Sequence, residues 1–295
     1  MKLLAVGHSV EDHIHFKSEN IIQPGGIFYS ALSLLNFKED NDEIFLNTCV
    51  QQENYSLFSS VYEKLDKKYF HYVDKIPKVF LDVHNFKERG ETYENITAQL
   101  EVPFDNLNSF DGILINMITG FDISLGQIKK IRKNFDGMIY FDVHTLARGL
   151  DENFRRDFRL IPDFEDWASS IDILQANESE LKTLFDLPDD LSIINKVLRS
   201  GVKIFILTKG ERGARIFSLR NEEIFSMFVP SIKVETNNKV GCGDVFGSIF
   251  FYTYIETKDI ARSLKLAVIA AGCAASYNDL NKFENLKKDV FSRYN

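Results

Sequence analysis

Short apolar runs of strand length alternate with helix-length segments along most of this chain of 295 residues. Continuous apolar runs are typical of strands that are buried on both faces of a sheet, because a half-exposed strand alternates in polarity. The clearest runs are 3–6, 44–47, 112–116, 138–142, 171–175 and 202–207. Strands that alternate with helices predict a mainly parallel sheet covered by helices on both faces. We therefore predict one α/β domain over residues 1–295.

The segment 79–100 interrupts this alternation. It begins with alternating apolar and polar residues, turns at 87–90 and continues with Thr, Tyr and Ile, which predicts a hairpin with one polar face. Together with residues 15–23, the segment 78–100 would form a small β-lid that excludes water from a site on the main sheet. An edge hairpin of that sheet is the alternative.

Charge and hydropathy argue against several classes of partner. The net charge is −8 and the pI is about 5.4, which disfavours a broad nucleic-acid or anionic-membrane surface. No apolar run approaches membrane-spanning length, and we expect no cleavable signal. The three cysteines, Cys49, Cys242 and Cys273, lack metal-ligand spacing and are expected as free thiols in a reducing compartment, so we expect a cytoplasmic protein.

A glycine turn precedes an apolar helix that we predict over 244–256, followed by a second closing helix over 260–277. The turn is Gly241-Cys242-Gly243-Asp244. The free N–H groups at a helix start and the helix dipole favour an anion at this point. A carboxylate there would repel a phosphate, so Asp244 makes chemical sense as a base that acts on a hydroxyl. The alternative is a structural Asp, since Asp is favoured in a first turn anyway.

Several polar side chains follow predicted strands, where the ligands of open α/β sheets bind. Asp12 follows the first strand and could either hold substrate hydroxyls or bond to its own turn. Asn116 and Arg148 follow later strands and are further candidates for contact with a substrate. His8 and His13 show no metal-ligand pattern, so we expect both to be solvated loop histidines.

Two further loops permit a functional and a structural interpretation. The loop 208–213 follows a buried strand and places two glycines three apart, which suits either a phosphate or a plain turn into the hairpin 214–229. Asn177 and Glu180 have the spacing of a helix N-cap and its capping-box partner. The same pair could also order a magnesium ion through its waters, since magnesium needs few carboxylates beside phosphates. The chain lacks the P-loop pattern and the dinucleotide fingerprint after its first strand.

Four motifs, in the same order, resemble those of the PfkB-type carbohydrate kinases of the ribokinase-like fold, and together they span nearly the whole chain. The first is a Gly-Gly signature that opens an apolar helix over 27–37, the second an Asn-x-x-Glu motif, the third a Thr-x-Gly-x-x-Gly loop, and the fourth resembles Gly-Ala-Gly-Asp. In this chain they read Pro24-Gly25-Gly26, Asn177-Glu178-Ser179-Glu180, Thr208-Lys209-Gly210-Glu211-Arg212-Gly213 and Gly241-Cys242-Gly243-Asp244.

The resemblance implies ATP-dependent phosphorylation of an alcohol group on a sugar or a related small molecule. Asp244 would be the catalytic base, and the N–H groups of Gly241, Cys242 and Gly243 would form the anion hole. We assign the remaining roles as follows: Thr208, Lys209, Gly210 and Gly213 to the nucleotide; Asp12, Gly25, Gly26, Ser30, Asn116 and Arg148 to the substrate; Asn177 and Glu180 to magnesium, through water. The cofactors implied are ATP and Mg2+. A homodimer through the lid is one arrangement that we consider.

The chain departs from the family pattern in two places. Asn238 and Lys239 replace the usual Asp-Thr, so the resemblance does not carry a monovalent-cation site across. Ser30 replaces the customary Asn, beside the aromatic Phe28 and Tyr29, so sugar contacts would differ from those of ribokinase or fructokinase. These departures motivate one alternative, a catalytically weak or inactive kinase-like protein that binds a ligand or regulates. A nucleoside kinase is a further alternative.

Overall fold

The computed structural model describes residues 1–16, 19–82, 90–151 and 156–294. The strands within these residues are β1 (Lys2–Val6), β2 (Ser9–Phe16), β3 (Glu19–Gly26), β4 (Glu43–Val50), β5 (Phe70–Tyr72), β6 (Lys78–Asp82), β7 (Gly90–Glu94), β8 (Gly112–Asn116), β9 (Met138–Asp142), β10 (Arg148–Leu150), β11 (Arg156–Phe158), β12 (Ile173–Asn177), β13 (Ile204–Thr208), β14 (Ala214–Arg220) and β15 (Glu223–Val229).

The helices within the same residues are α1 (Phe28–Phe37), α2 (Ser59–Tyr62), α3 (Leu125–Asn134), α4 (Phe164–Ala168), α5 (Glu178–Leu181), α6 (Asp190–Arg199), α7 (Cys242–Thr257), α8 (Ile260–Ser276) and α9 (Leu286–Tyr294). Short 3₁₀ turns cover Tyr55–Leu57, Phe104–Ser109, His144–Ala147, Gly210–Arg212 and Leu280–Asn285. Among the helices of the described ranges, none has the length and the apolar character needed to cross a bilayer.

The main sheet has the strand order β15-β14-β13-β12-β9-β8-β1-β4-β5. The strands from β13 to β5 in this order run parallel, and β14 and β15 are added antiparallel at one edge as the predicted hairpin. Parallel strands need crossover connections, which the helices between them supply. The predicted α/β class with a mainly parallel sheet is confirmed.

Helices pack on this sheet and on one another. In one group, α7 contacts α1 and α8, and α9 contacts α8; in another, α3 contacts α4. The helix α9 was not predicted, because its sequence carries mixed charges and only Leu286 and Val290 are buried. Large aromatic side chains fill much of the core, as the abundance of Phe predicts; Phe28, Phe58 and Tyr62 contact one another there.

The lid is a separate four-stranded sheet with the order β3-β2-β6-β7. The predicted hairpin is formed by β6 and β7, which pair antiparallel, and most of its turn at 87–90 lies outside the described residues. The first lid strand begins at Ser9, well before the predicted bound of residue 15, because the chain turns directly after β1. Asp12 therefore lies inside a strand, opposite Gln23, and not in the turn that one of its two interpretations required.

The carboxyl ends of the parallel strands lie along one edge of the main sheet, and polar residues end several of them. The register places Asn116 opposite Asp142, and Asp142 opposite Gln175. Asn177 in turn lies opposite Thr208. The parallel pairing thus brings together residues that are far apart in the chain, at the edge where ligands of such sheets bind.

Candidate active site

Asp244 and Asn116 meet where the first turn of α7 reaches the end of β8. The Asn116 amide donates a short hydrogen bond to Asp244 Oδ1. Asn116 is 2% exposed, and its Oδ1 has no hydrogen-bond partner among the described residues. The hydrogen bond fixes one oxygen of a partly exposed carboxylate, and it joins two residues that were predicted separately.

The turn before Asp244 has the geometry of an anion site. Gly241 precedes α7 with φ of 77°, in the left-handed region that favours glycine. Its Cα faces the ring of Tyr29 so closely that a β carbon would lie 2.3 Å from Tyr29 Cγ. The N–H groups of the first turn have no acceptors within the helix, and the dipole of the 16-residue α7 adds partial positive charge there.

A group of carboxylates surrounds this turn. Burial raises the pKa of Asp244 to about 6, although the charge of His144 and the hydrogen bond from Asn116 lower it. Burial and the neighbouring Glu180 charge raise the pKa of Asp142 well above its ordinary value. Carboxylates that disfavour one another's charge in this way provide a favourable site for a cation.

His144 lies beside the same carboxylates. Its Nδ1 is 3.7 Å from Glu180 Oε1, and its side chain is 53% exposed. Partial burial lowers the pKa of His144, but the nearby carboxylates of Glu180 and Asp142 outweigh this and raise it to about 9. At neutral pH the residue therefore adds a positive charge to the floor of the site.

Asn177 and Glu180 form the capping box that their spacing predicts. Asn177 Oδ1 accepts from the backbone N–H groups of Ser179 and Glu180, both at 2.9 Å, and Glu180 Oε2 accepts from the Asn177 N–H at 2.7 Å. The second oxygen of Glu180 faces His144 and remains available for another contact. Asn177 is committed mainly to the start of α5, so the metal-binding role of the pair stays a prediction.

The two glycines of the loop after β13 have different surroundings. Gly210 has φ of 55°, and a β carbon there would meet no atom within 4 Å, so its backbone faces open space. Gly213 has φ of 111°, and a β carbon would lie 2.1 Å from the Val229 carbonyl oxygen. Thr208 Oγ1 donates to the Ala176 carbonyl at 3.4 Å. Gly210 is therefore accessible to a ligand, whereas Gly213 permits the close approach of β15.

Cationic side chains of this loop are paired with nearby carboxylates. Lys209 Nζ lies 2.8 Å from Glu178 Oε1, and Arg212 forms a short ion pair with the other oxygen of Glu178. Lys239 Nζ lies 2.7 Å from Glu211 Oε1 and joins the loop before α7 to the loop after β13. The two predicted phosphate-binding loops are thus adjacent, although the motif containing Lys239 differs from the family pattern.

On the opposite side of the turn, the lid strands and α1 contribute the predicted substrate residues. Asp12 is 6% exposed, and its carboxylate packs on Gly25 so tightly that a β carbon there would lie 2.2 Å from Oδ2. Gly26 has φ of 65°, and a β carbon would lie 2.3 Å from the His8 carbonyl oxygen. Gly25 is therefore required by the close contact between two lid strands, and Gly26 by its contact with the His8 carbonyl between β1 and β2.

Ser30 and Tyr29 lie at the start of α1. Ser30 is buried, and its Oγ has no hydrogen-bond partner among the residues described. The Tyr29 hydroxyl accepts from Gln23 Nε2 at 3.1 Å. Burial, with the charges of Asp12 and Asp244, raises the pKa of Tyr29 above its ordinary range. Tyr29 is therefore close to both carboxylates and lies between the predicted base and the predicted substrate-binding Asp.

Arg148 lies in β10, which pairs with β11 in a two-stranded ribbon. Its guanidinium stacks over Phe158 at 4.6 Å from the ring centroid. This contact explains the position of the side chain without a ligand, so its role in substrate binding stays a prediction.

Two buried polar groups near the site differ from what the sequence suggests. His8 was expected in solvent, yet it is 1% exposed and its Nδ1 lies 2.8 Å from Asp122 Oδ1. The chain turns inward after β1, and Asp122, from 114 residues away, also accepts the His8 N–H. Gln175, 4% exposed, binds Asp142 at 2.7 Å and is a second polar residue in the core. A Gln within an otherwise apolar strand was the available signal for it.

The fold is that of a ribokinase-like α/β protein, and the glycine turn that begins α7 lies near the carboxylates of Asp142 and Asp244. Residues 141–284 match the model of the pfkB family carbohydrate kinases. The predicted resemblance to the PfkB-type carbohydrate kinases is confirmed over these residues, and the described fold is ribokinase-like.

Curated relatives match part of the chain. The deoxyribokinase of Salmonella typhi is 30% identical over 129 residues, which are 40% of this chain and 41% of the relative. The ribokinase of Bacillus subtilis is 35% identical over 98 residues, which are 33% of this chain and 31% of the relative. The matched regions thus span well under half the length of these relatives.

Solved structures match almost the whole chain. A ribokinase from Thermotoga maritima has a TM-score of 0.74 and 19% identity, and covers 99% of this chain and 98% of its own. Arabidopsis thaliana ribokinase, complexed with ribose and ATP, has a TM-score of 0.76, 14% identity and the same coverage. A pyrophosphate-dependent kinase of the ribokinase family has a TM-score of 0.76 and 16% identity, and covers 97% of this chain and 99% of its own. At these identities the likeness shows the fold.

Proposed function

We propose that this chain is an ATP-dependent phosphotransferase that transfers the γ-phosphoryl group to an alcohol group of a sugar or a related small molecule. The observation that carries the proposal is the placement of Asp244. Its carboxylate, with a pKa of about 6, is held by Asn116 in the first turn of a helix that begins at a left-handed glycine. An anion site and a base are therefore adjacent.

In this proposal Asp244 takes the proton of the acceptor hydroxyl. A base with a pKa close to the working pH is mostly ionised and still accepts a proton readily. The N–H groups of Gly241, Cys242 and Gly243 stabilise charge on the transferring group, and the left-handed turn presents them before the reaction begins. Such positioning and charge stabilisation account for most of the rate enhancement in phosphoryl transfer.

The carboxylates near His144 fit a hydrated magnesium ion. The described residues contain no cluster of three His, Cys, Asp or Glu side chains placed to hold a metal directly. Glu180 Oε1 and the Asp142 carboxylate would instead hold the ion through water and the donor phosphates, with Asn177 orienting Glu180. Bound magnesium would neutralise charge that develops on the phosphates.

The loop after β13 would bind the donor nucleotide. The exposed backbone of Gly210 allows close approach, and Thr208 lies at the strand end beside it. Lys209 and Arg212 would exchange their ion pairs with Glu178 for contacts to phosphate oxygens. Because one similar fold belongs to a pyrophosphate-dependent kinase, pyrophosphate is the alternative donor to test.

The acceptor would bind between the lid and α1. Asp12 would accept hydrogen bonds from substrate hydroxyls, and the buried Ser30 Oγ, which has no partner among the described residues, would add another polar contact. Gly25 and Gly26 would shape this side of the site by holding the lid close. The deoxyribokinase and ribokinase relatives favour a pentose, and a nucleoside is the alternative acceptor.

A second candidate is a kinase-like protein that binds an acceptor but turns it over weakly or not at all. The specific observation that favours it is Lys239, which pairs with Glu211 across the two phosphate loops and departs from the family pattern. Calorimetry that detects acceptor binding, together with no transfer from ATP or pyrophosphate, would support this candidate.

The test is the variant Asp244→Asn, assayed for transfer to pentoses, hexoses and nucleosides from ATP or pyrophosphate. We expect a loss of about 10²- to 10⁴-fold in kcat, as for removal of a general base. Asp190→Asn is the matched control, because Asp190 also lies in the first turn of a helix, away from the site. Full activity of a folded Asp244→Asn protein would refute the assignment of the base.

A further inference from the structure

We infer that Gln175 is a positioning residue that orients the Gly243–Asp244 peptide, and that Tyr140 holds it in place. The inference rests on the proposed function and adds to it a group outside the family motifs. Tyr140 lies on β9 and Gln175 on β12, beneath the first turns of α7. Neither side chain needs to contact a substrate for this role.

The Gln175 amide makes three contacts that together use its hydrogen-bonding groups. Its Oε1 accepts from the Tyr140 hydroxyl at 2.5 Å. Its Nε2 donates to Asp142 Oδ2 at 2.7 Å and to the Gly243 carbonyl oxygen at 3.3 Å. Because an amide nitrogen carries two hydrogens, one donor group can serve both acceptors.

Tyr140 holds the oxygen of the amide in place. A Gln amide can rotate to exchange its oxygen and nitrogen, but the Gly243 carbonyl can only accept, so Nε2 faces α7 and Oε1 accepts from the Tyr140 hydroxyl. Tyr140, Gln175 and Asp142 are 1%, 4% and 8% exposed, so water does not readily replace these contacts. The orientation is therefore fixed by the core.

The contact to Gly243 has a direct consequence for the anion hole. In a planar trans peptide the C=O and the following N–H point in opposite directions. A Gly243 carbonyl that faces Gln175 therefore turns the Asp244 N–H away from Gln175, toward the N-terminal end of α7, where it would add a fourth donor to the proposed anion hole of Gly241, Cys242 and Gly243. A first-turn N–H held in this way is ready to stabilise charge without reorganising.

Gly247 provides an independent sign that this contact matters. It lies inside α7, where glycine destabilises a helix relative to alanine. A β carbon at Gly247 would lie 2.8 Å from the Tyr140 hydroxyl and 3.2 Å from Gln175 Oε1. The glycine therefore allows both side chains to pack directly under the helix whose start they orient.

The main experiment compares Gln175→Leu with the matched control Gln127→Leu. Gln127 caps α3, and its amide donates to the Leu100 carbonyl at 2.8 Å, so the control also removes a partly buried amide. We expect kcat of Gln175→Leu to fall by about 10- to 100-fold with little change in the KM of donor or acceptor, as for a displaced oxyanion donor. The control should lose thermal stability and keep its kcat.

Tyr140→Phe provides a second variant in case Gln175→Leu does not fold. It keeps the amide but removes the hydroxyl that holds the amide oxygen in place, so we expect a smaller fall in kcat, again with little change in KM. Unchanged kcat in a folded Gln175→Leu or Tyr140→Phe protein would overturn the inference, as would a rise in KM that accounts for the whole loss of kcat/KM.

Binding of inorganic phosphate tests the inference even without turnover. Isothermal calorimetry should show weaker phosphate binding to Gln175→Leu than to the wild type and to Gln127→Leu. Absence of wild-type turnover on every donor and acceptor would refute the proposed function alone. Equal phosphate affinity in the three proteins would refute the positioning role alone.

Discussion

The ring of Tyr29 lies directly against Gly241, so closely that a β carbon at Gly241 would be 2.3–2.8 Å from its ring atoms. Tyr29 is itself 2% exposed and packs edge-on against Phe28 in the core. Two separate features therefore require glycine at the start of α7: its left-handed φ and its close contact with α1. The position of the proposed anion site depends on this contact.

Replacement of Gly241 by Ala should disrupt the turn. The new methyl group would overlap Tyr29, and an L residue would be strained at φ of 77°. We expect unfolding free energy to fall by about 1–3 kcal/mol and kcat to fall by about 100-fold, because the N–H groups move. Urea unfolding and a phosphoryl-transfer assay measure the two effects.

The stability control for this variant is Gly210→Ala. Gly210 also has positive φ, but a β carbon there would meet no atom within 4 Å. Its substitution should therefore show the backbone strain without the overlap, and destabilise the protein less than Gly241→Ala. Equal losses of stability in the two variants would mean that the contact with Tyr29 is unimportant.

Activity should rise with pH through about 6. Burial raises the pKa of Asp244 to about 6, and a base acts only in its deprotonated form, so acid protonates it and stops the reaction. We expect log kcat/KM to fall with a slope of about 1 below that pH. A profile of kcat/KM between pH 5 and 8 measures this, and a flat profile down to pH 5 would contradict the proposed base.

Asp244→Asn should make the protein more stable at neutral pH. The folded pKa is raised above the unfolded value, so the carboxylate destabilises the fold increasingly as pH rises from about 4, and fully above about 6. The variant removes that charge while its Oδ1 still accepts from Asn116. We expect a gain of about 1–3 kcal/mol at pH 8 that decreases as pH falls toward 4.

Urea unfolding of both proteins at several pH values checks this prediction. A variant that is less stable than the wild type at pH 8 would show that the carboxylate has favourable partners that outweigh its burial. Greater stability with lost activity would instead indicate a residue kept for function at the expense of the fold.

The buried His8–Asp122 pair should contribute stability over a defined pH range. Burial lowers the pKa of His8, but the charge of Asp122 and its hydrogen bond outweigh this effect and raise the pKa of His8 to about 9. The same pairing lowers the pKa of Asp122, although its burial acts in the opposite direction. The His8 contribution is complete below about pH 6.5 and is lost as pH rises through 9, and the Asp122 contribution is lost as pH falls below about 4.

Asp122→Asn should destabilise the protein by about 3–5 kcal/mol at pH 6, because it leaves a buried imidazole without its counter-charge. The difference from wild type should shrink between pH 6.5 and 9. Thermal unfolding over this pH range measures the difference in stability. Asp189→Asn, at an exposed helix cap, is the control. A difference that grows with pH would contradict the assigned ion pair.

Local sequence pattern predicts much of the fold. The run 138–142 matches β9 (Met138–Asp142) residue for residue, and the hairpin 214–229 is formed by β14 and β15. Both succeed because periodicity and turn residues act over a few neighbouring positions. The capping box of Asn177 and Glu180 succeeds for the same reason.

Local sequence pattern predicts less of the candidate site. Gly241 and Asp244 are visible as a turn before a helix, and Asn116 as a polar strand end. Their contact depends on the pairing of strands that the sequence does not specify by spacing. His8 was expected in solvent because its partner Asp122 is 114 residues away.

By itself, the sequence determined the alternation of strands and helices over most of the chain, the glycine turn before α7 and the kinds of side chain near it. Only the tertiary structure decided which polar groups are buried, which carboxylates share a site and how Gln175 reaches Gly243 from 68 residues away. The physical reason is that secondary structure follows from neighbouring residues, whereas burial, pKa and peptide orientation depend on contacts between distant segments.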